Sequence, residues 1–191
     1  KRLAIDVLNA GKFNSREFRF CINRLETLAR CIEFEVPPAY FDDITPLIIG
    51  GLDTSPVSTD QICRYLRAVH LSNGDYEALI SHLLDDEKGI YNWKNYRLWV
   101  LFTQRQYRSN TLLTRAKEVV SQRADDPTRA GATLYLGAFG DTSDRELIAS
   151  KFSELDSFLG QRNAVIAVQE LHFRPAANRD VSIDTHVRGH L

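Results

Sequence analysis

The chain has 191 residues, of which 43% are hydrophobic and 26% charged, and its formal net charge is −1. Such a composition can bury a sizeable core and is unlike that of a disordered segment. No apolar run approaches the roughly 18 residues that cross a bilayer, and the start of the sequence lacks the pattern of a signal peptide. We therefore expect a folded cytoplasmic protein with no membrane segment.

Three further features of the composition bear on compartment and function. The cysteines, Cys21, Cys31 and Cys63, lie in apolar helical patterns, which predicts buried free thiols in a reducing compartment. The sequence contains no Met, even at position 1, which indicates a piece of a longer protein. Eighteen of the 24 basic residues are Arg, the residue favoured for bidentate contacts with phosphate or carboxylate. This excess favours a binding role.

Residues 1–56 are predicted as an N-terminal helical segment with one long and one short helix. The long helix spans Ser15 to Phe34, with Asn14 or Ser15 as its cap and a capping box between Asn14 and Glu17. Its apolar stripe consists of Phe18, Ile22, Leu25, Leu28, Ala29 and Ile32. Pro37-Pro38 ends it, and the short helix follows within AYFDDITPLIIGG, residues 39–51.

The letters YFDD, Tyr40 to Asp43, match the Tyr-x-Asp-Asp signature of reverse transcriptase active sites. There, paired carboxylates bind two metal ions that orient phosphoryl transfer. The signature needs a hairpin between two apolar strands, whereas here prolines precede it and a helical pattern follows. We interpret the acids as part of a helix N-terminus, where the helix dipole favours negative charge.

A period of about 33 residues runs through residues 57–173. Four arginines mark it at steps of 33, 32 and 33, and an apolar residue follows each by five positions: Arg64, Arg97, Arg129 and Arg162, then Val69, Phe102, Leu134 and Ala167. Second helices repeat at the same offset, as from Leu79 to Leu112. Helix pairs at a fixed period need their neighbours to bury a face, which predicts a solenoid.

The sequence therefore predicts an all-α fold, an α-solenoid of helix pairs preceded by a long N-terminal helix. Residues 174–191 form a weakly patterned C-terminal tail. Pro127 fits the first turn of its helix, and Ser143 with Glu146 is predicted as a capping box. The repeated arginines either pair with acids of a neighbouring repeat or form a ladder that binds an acidic partner.

The stretch DDPTRAGATLYLGAFGD, residues 125–141, resembles the HEAT-type repeat in its Asp-Pro start, its Arg two residues after the Pro, and its Gly-Asp end. The match is good for residues 125–171 and looser for 58–121. The block KFNSREFRFCINRLETLARCIEF, residues 12–34, followed by such repeats, resembles the region after the polymerase domain in abortive-infection-type reverse transcriptases. These are bacterial antiphage proteins. The resemblance implies a domain that embraces the polymerase or its nucleic acid, with the catalytic aspartates upstream of Lys1.

A basic stretch with interleaved aromatic residues runs from Lys94 to Arg129 and holds eight basic residues against three acidic ones. Cations for phosphates and aromatic platforms for bases are what a single-stranded nucleic acid needs. The predicted nucleic-acid-binding residues are Trp93, Lys94, Arg97, Arg105, Arg108 and Arg115. In the alternative interpretation, the aromatic residues belong to the core and the arginines solvate helix ends.

Catalytic and metal-binding patterns are not found in the sequence. The five histidines show no metal-ligand spacing with cysteine or acids, and no nucleophile with a partner base can be argued. We therefore predict no catalytic site, no metal and no cofactor in this chain. The predicted function is a non-catalytic helical-repeat module that holds nucleic acid, an adjacent polymerase domain, or both. The alternative is a protein–protein interaction scaffold without nucleic-acid contact.

Overall fold

The computed structural model describes residues 2–31, 36–52, 56–85, 92–124 and 126–173. Over these residues the chain forms ten α-helices and two short 3₁₀ segments, and it contains no strand. The prediction of an all-α fold is confirmed for this part of the chain, whereas the predicted tail, residues 174–191, lies outside it. None of the described helices is long and apolar enough to cross a membrane. The chain divides into two compact units with their boundary between Arg105 and Gln106.

The first unit contains six of these helices. They are α1 (Arg2–Asn9), α2 (Arg16–Arg30), α3 (Thr45–Ile49), α4 (Pro56–Ala68), α5 (Asn73–Leu84) and α6 (Asn92–Gln104). Helix α4 packs between α2 and α6, while α3 packs against α5. The largest fully buried side chains of the unit include Phe18, Ile44, Tyr65, Trp99 and Phe102. The aromatic and branched residues of these helices thus form one core, as their helical spacing requires.

Helix α2 is shorter than predicted. It begins at Arg16 because Ser15 is its cap, with the Ser15 hydroxyl accepting a hydrogen bond from Phe18 N at 3.0 Å. It ends at Arg30, before the two prolines, because Cys31 takes an extended backbone. The predicted end at Phe34 lies outside the described residues. Helix α1, which the sequence analysis did not predict, packs on α2.

The YFDD segment does not form a hairpin. Tyr40 ends a 3₁₀ turn that starts at Pro38, and the following turn leads into α3 at Thr45. Phe41 is buried and packs edge-to-face on Tyr65, with 6.2 Å between the ring centroids. Because the segment is a turn between helical elements, it lacks the strand pair that a polymerase signature requires.

The second unit contains α7 (Asn110–Gln122), α8 (Pro127–Phe139), α9 (Thr142–Ser150) and α10 (Phe158–Phe173). Helix α8 packs against both α7 and α10. It begins at Pro127 as predicted, and Asp126 caps it by accepting a hydrogen bond from Arg129 N at 2.9 Å. Gly137 lets α8 approach α10 closely, since a Cβ there would lie 2.6 Å from the Cα of Ala167.

The predicted capping box of α9 is wrong. The box is formed by Asp141 and Asp144 rather than by Ser143 and Glu146. The Asp141 carboxylate accepts from Asp144 N at 3.2 Å, and the Asp144 carboxylate accepts from Asp141 N at 2.8 Å. Because α9 begins at Thr142, Ser143 already lies inside the first turn and cannot be the cap. Helix α9 ends at Ser150, and a 3₁₀ turn follows at Phe152–Glu154.

Burial agrees with the 33-residue period of the sequence at some positions. Leu79 and Leu112 are both fully buried, whereas the next residue in each helix is half-buried. In the first unit α4 packs on α6, and in the second α8 packs on α10, so helices one period apart are neighbours within each unit. Of the four apolar residues that follow the repeated arginines, Val69, Phe102 and Ala167 are buried, whereas Leu134 is half-buried.

The cysteines are free thiols, as predicted. Cys21 and Cys63 are buried, and Cys31 is half-buried at the C-terminal cap of α2. Burial raises the pKa of the Cys63 thiol to about 12, which keeps it protonated and unreactive at neutral pH.

Candidate functional site

Three of the predicted nucleic-acid-binding residues lie at the start of α6. The Trp93 side chain is 55% exposed and packs edge-to-face on Tyr96, with 5.5 Å between the ring centroids. Lys94, next to it, is buried. Arg97 lies one helical turn after Trp93 and is partly exposed. The structure therefore brings an exposed aromatic ring and a cation together on one face of α6.

Arg97 pairs with a carboxylate of a neighbouring helix. Its Nη1 lies 3.0 Å from Oδ1 of Asp60 in α4, and Arg64 Nε approaches the other oxygen of Asp60 at 3.9 Å. Two of the arginines that mark the period thus converge on one acid. Arg97 thus pairs with an acid of another helix, as in the structural alternative for the repeated arginines, whereas the Arg64–Asp60 pair lies within α4. All three side chains are about 40% exposed, so the pairs contribute little stability, on the order of 0–1 kcal/mol each.

Arg105 binds the end of another helix. Its guanidinium donates hydrogen bonds to the carbonyl oxygens of Leu66, at 2.6 Å, and of Val69. Leu66 belongs to the last turn of α4 and Val69 directly follows the helix, at an end where the helix provides no partners for its carbonyls. Burial lowers the pKa of Arg105 from its ordinary value, although a guanidinium remains charged in proteins. Arg105 therefore has a structural role in the first unit.

The other two predicted residues, Arg108 and Arg115, belong to the second unit. Arg108 is half-buried in the loop before α7. Arg115 lies on α7 and pairs with Glu118 one turn later, at 3.2 Å. The six residues predicted as one binding surface are therefore divided between two units, with four in the first and two in the second.

The loop that carries Arg108 is fixed by a buried tyrosine. The hydroxyl of Tyr135 donates to Tyr107 O at 3.1 Å and accepts from Ser109 N at 3.0 Å. Burial raises the pKa of Tyr135 well above its ordinary value, so the hydroxyl keeps its proton and can serve both bonds. One side chain of α8 thus determines the backbone on both sides of Arg108.

A polar cavity in the second unit was not predicted from the sequence. Its volume is about 900 Å³, and it lies where the end of α7, the start of α8 and the segment before α10 come together. Its charged and hydroxyl lining residues include Arg123, Arg129, Lys151, Glu154, Asp156 and Ser157. The only signal in the sequence was the place of Arg129 in the 33-residue period. That period did not indicate which residues would surround it.

Arg129 is one of the residues that line this cavity, and it is only 2% exposed. Its guanidinium donates to Arg123 O at 3.0 Å and to Lys151 O at 3.3 Å, and it pairs with Glu154 at 3.2 Å. The second carboxylate oxygen of Glu154 accepts from Lys151 Nζ at 2.8 Å. The hydrogen bond from Lys151, together with the Arg129 cation, holds the pKa of Glu154 below its ordinary value. Glu154 is therefore an ionised carboxylate between two cations.

The donors of this cavity suit an anionic group, because Arg129 and Lys151 present guanidinium and ammonium N–H groups. A metal site has no comparable support, since the described residues contain no cluster of three or more His, Cys, Asp or Glu that could hold an ion. Comparisons of the chain with protein-family models, with curated proteins and with solved structures find no match.

Proposed function

We propose that this chain is a helical-repeat module that acts by binding and that its partner is a protein, either an adjacent domain or a separate chain. The repeat architecture that we propose is a HEAT-like α-solenoid. It is supported by the packing of helices one period apart, α4 with α6 and α8 with α10, and by the matched burial of Leu79 and Leu112. Modules of this architecture offer extended surfaces for partners.

The observation that carries the protein-binding proposal is the internal use of the predicted cations. Lys94 is buried, Arg97 pairs with Asp60, Arg105 binds the end of α4, and Arg115 pairs with Glu118. Single-strand binding needs a groove of cations that can each neutralise a phosphate. These four are already committed to acids, to carbonyls or to the interior, which favours the scaffold alternative.

Exposed apolar side chains support the same conclusion. Large hydrophobic residues with more than half of their surface exposed include Leu3, Phe20, Trp93, Phe158 and Phe173. Phenylalanine and tryptophan are enriched where proteins contact one another, because they bury a large apolar area. Such residues supply contact area to a protein partner in both units.

A second candidate function, nucleic-acid binding beside a polymerase in antiphage defence, is favoured by one observation. Trp93 is exposed, and Arg97 follows one turn later on the same face of α6. A base could stack on the indole while Arg97 exchanges Asp60 for a phosphate, since exposed ion pairs are weak. In this proposal the chain holds the nucleic acid or an adjacent polymerase domain.

Tryptophan fluorescence distinguishes the two candidates, because Trp93 is exposed and Trp99 is fully buried. We expect that a 20-nucleotide single strand at about 10 μM leaves the fluorescence unchanged at ~50 mM salt. Quenching that disappears in Trp93→Phe, and that weakens by orders of magnitude by ~200 mM salt, would instead establish nucleic-acid binding. Under nucleic-acid binding Arg97→Gln would weaken this quenching, and Arg162→Gln, on the exposed surface of α10, is its control.

Association with a protein is tested directly by co-purification. The chain and any other segment of its reading frame are expressed separately, mixed and separated by size-exclusion chromatography. We expect a shared peak that weakens when an exposed phenylalanine such as Phe158 is changed to Ser. Independent elution of every segment would remove the adjacent domain as the partner.

A further inference from the structure

We propose that the polar cavity of the second unit is a recognition site for the side-chain carboxylate of an acidic protein segment, which binds Arg129 and Lys151 in place of Glu154. This inference deepens the proposed function, on which it depends for the class of partner. It adds the place on the chain and the chemical group that is recognised. The cavity, the buried cation and the exposed carboxylate that covers it are separate observations, and all three are needed.

Burial of the Arg129 guanidinium costs free energy. A guanidinium that loses its hydration must be compensated by hydrogen bonds and by a counter-charge. Two backbone carbonyls supply hydrogen bonds to it. The counter-charge comes from Glu154, the carboxylate within ion-pair distance among the described residues. An arginine that is 2% exposed thus has a counter-ion that is 47% exposed. The Arg129 guanidinium is fixed inside the protein, while the carboxylate that pairs with it, Glu154, lies at the surface.

Two cations hold the Glu154 carboxylate in the site. It lies on the short 3₁₀ turn Phe152–Glu154, outside any α-helix, and it bridges Arg129 and Lys151 through its two oxygens. A cavity of about 900 Å³ lies beside this bridge, so a second carboxylate has room to enter. Glu154 can leave into solvent, because nearly half of its side chain is already there. It therefore occupies the site as an internal substitute for a ligand.

The residues in and beside the cavity favour one class of ligand. Three cations and two acids line the cavity, the acids being Glu154 and Asp156, so its small positive charge gives a polyanion such as nucleic acid little attraction. A single carboxylate requires only the exchange of one anion for another. Phe152 and Phe158 are exposed and directly adjoin the lining residues Lys151 and Ser157 in the chain. A polar site with exposed phenylalanines next to it suits an acidic side chain flanked by apolar residues of a peptide.

The test uses the full chain and a small dicarboxylate, glutarate, with neutral glutaramide as its isostere. Binding is followed by the amide signals of the labelled protein in two-dimensional NMR at constant ionic strength. We expect saturable shifts with glutarate in the segments 121–129 and 151–161, and none with glutaramide. Inorganic phosphate is titrated in parallel, and a site that binds phosphate but not glutarate would overturn the proposal.

The chain offers a matched control pair for the variants. Lys151 and Glu154 are 31% and 47% exposed and three residues apart, and Arg115 and Glu118 are 29% and 47% exposed at the same spacing. If Glu154 covers the site in about nine molecules of ten, Glu154→Gln strengthens glutarate binding about tenfold. Glu118→Gln should leave binding unchanged. Lys151→Gln should weaken it several-fold, while Arg115→Gln should not.

Each result decides the question. Equal affinities for Glu154→Gln and Glu118→Gln, or no saturable shift in the wild-type protein, would overturn the inference. If Glu154→Gln does not fold, the wild-type titration and the comparison of Lys151→Gln with Arg115→Gln still decide it. Failure of the co-purification experiment leaves glutarate binding unaffected, so the failure of the partner proposal and the failure of this site are distinguishable.

Discussion

The side-chain amide of Asn163 on α10 donates a hydrogen bond to the carbonyl oxygen of Ala130 on α8, at 3.1 Å and in full burial. The two residues are 33 positions apart, which equals the period predicted from the sequence. A polar group is stable there because it has a partner, and the bond fixes how far one helix can slide along the other. The period that the apolar pattern defines is therefore also marked by a polar contact.

Replacing Asn163 should weaken the second unit. Asn163→Ala removes the hydrogen bond and leaves a small cavity, so we expect the free energy of unfolding to fall by about 1–3 kcal/mol. Urea denaturation followed by circular dichroism measures the change. Gln169→Ala, on the exposed side of the same helix, is the control and should change stability by less than about 0.5 kcal/mol. An equal effect of both variants would contradict the role of the bond.

Gly137→Ala should destabilise the protein although it places a better helix former in α8. Alanine gains about 1 kcal/mol over glycine inside a helix. Here its Cβ would lie 2.6 Å from the Cα and 2.7 Å from the Cβ of Ala167, so backbone must move. We expect a net loss of about 1–3 kcal/mol, as for overpacked cores.

Gly74→Ala is the matched control for that variant, because the new methyl would meet only the hydroxyl of Ser72, at 3.8 Å. There the helix preference is unopposed, and thermal unfolding should show unchanged or slightly raised stability. A stabilising effect at both glycines would mean that α8 and α10 are not in close contact.

Arg105→Gln should destabilise the first unit, while Arg115→Gln should not. The first variant leaves two carbonyls at the end of α4 without their charged donor, at a cost of about 1.5–3 kcal/mol. The second removes only an exposed pair, with an expected effect within about 0.5 kcal/mol. Chemical denaturation of both variants tests this difference, and equal stabilities would show that Arg105 does not hold α4.

The stability of the first unit should fall in alkaline solution because of Tyr65. Burial raises the pKa of this residue to about 12 in the folded protein, against about 10 for a free tyrosine. Its contribution to stability is complete below pH ~10, where both states hold the proton. Between pH ~10 and ~12 the unfolded chain releases the proton while the folded chain retains it, so stability declines as the pH rises.

Urea unfolding of the wild-type protein and of Tyr65→Phe, at pH 9 and at pH 11.5, measures this contribution. At pH 9 the free energy of unfolding of the variant should be about 1 kcal/mol lower, because the hydrogen bond between Tyr65 and Thr45 is lost. The Thr45 hydroxyl still donates to Phe41 O. The variant should also show a shallower decline with pH. The same decline in both proteins would assign the alkaline sensitivity to other groups, such as Cys63 and Tyr135.

Apolar periodicity predicted the structural features that depend on residues close to one another in the sequence. The faces of α2 and α7, the start of α8 at Pro127 and the buried cysteines follow from spacing and from local preferences. The capping box of α9 was misjudged because DTSDRE contains two overlapping sets of polar residues with the right spacing. Which set caps the helix depends on where Gly140 ends α8, and this is a property of packing.

The roles of individual arginines could not be read from the sequence for a related reason. Arg105 meets carbonyls 36 and 39 residues before it, and Arg129 meets a carboxylate 25 residues after it. Contacts at such separations depend on how helices cross, whereas charge and spacing alone describe every surface arginine alike. The sequence could therefore not show that Arg105, one of the predicted binding residues, donates to carbonyls at the end of α4.

The contacts of Arg129 also set a lower limit on the length of a fragment of the second unit that folds on its own. Its partners come from the end of α7, from the turn after α9 and from Glu154, so the guanidinium joins segments on both sides of α8. A polypeptide shortened to end before Lys151 would keep the buried cation and lose both acceptors on that side. Any dissection of the second unit for expression or design therefore has to retain the chain from Arg123 through Glu154 as one indivisible piece.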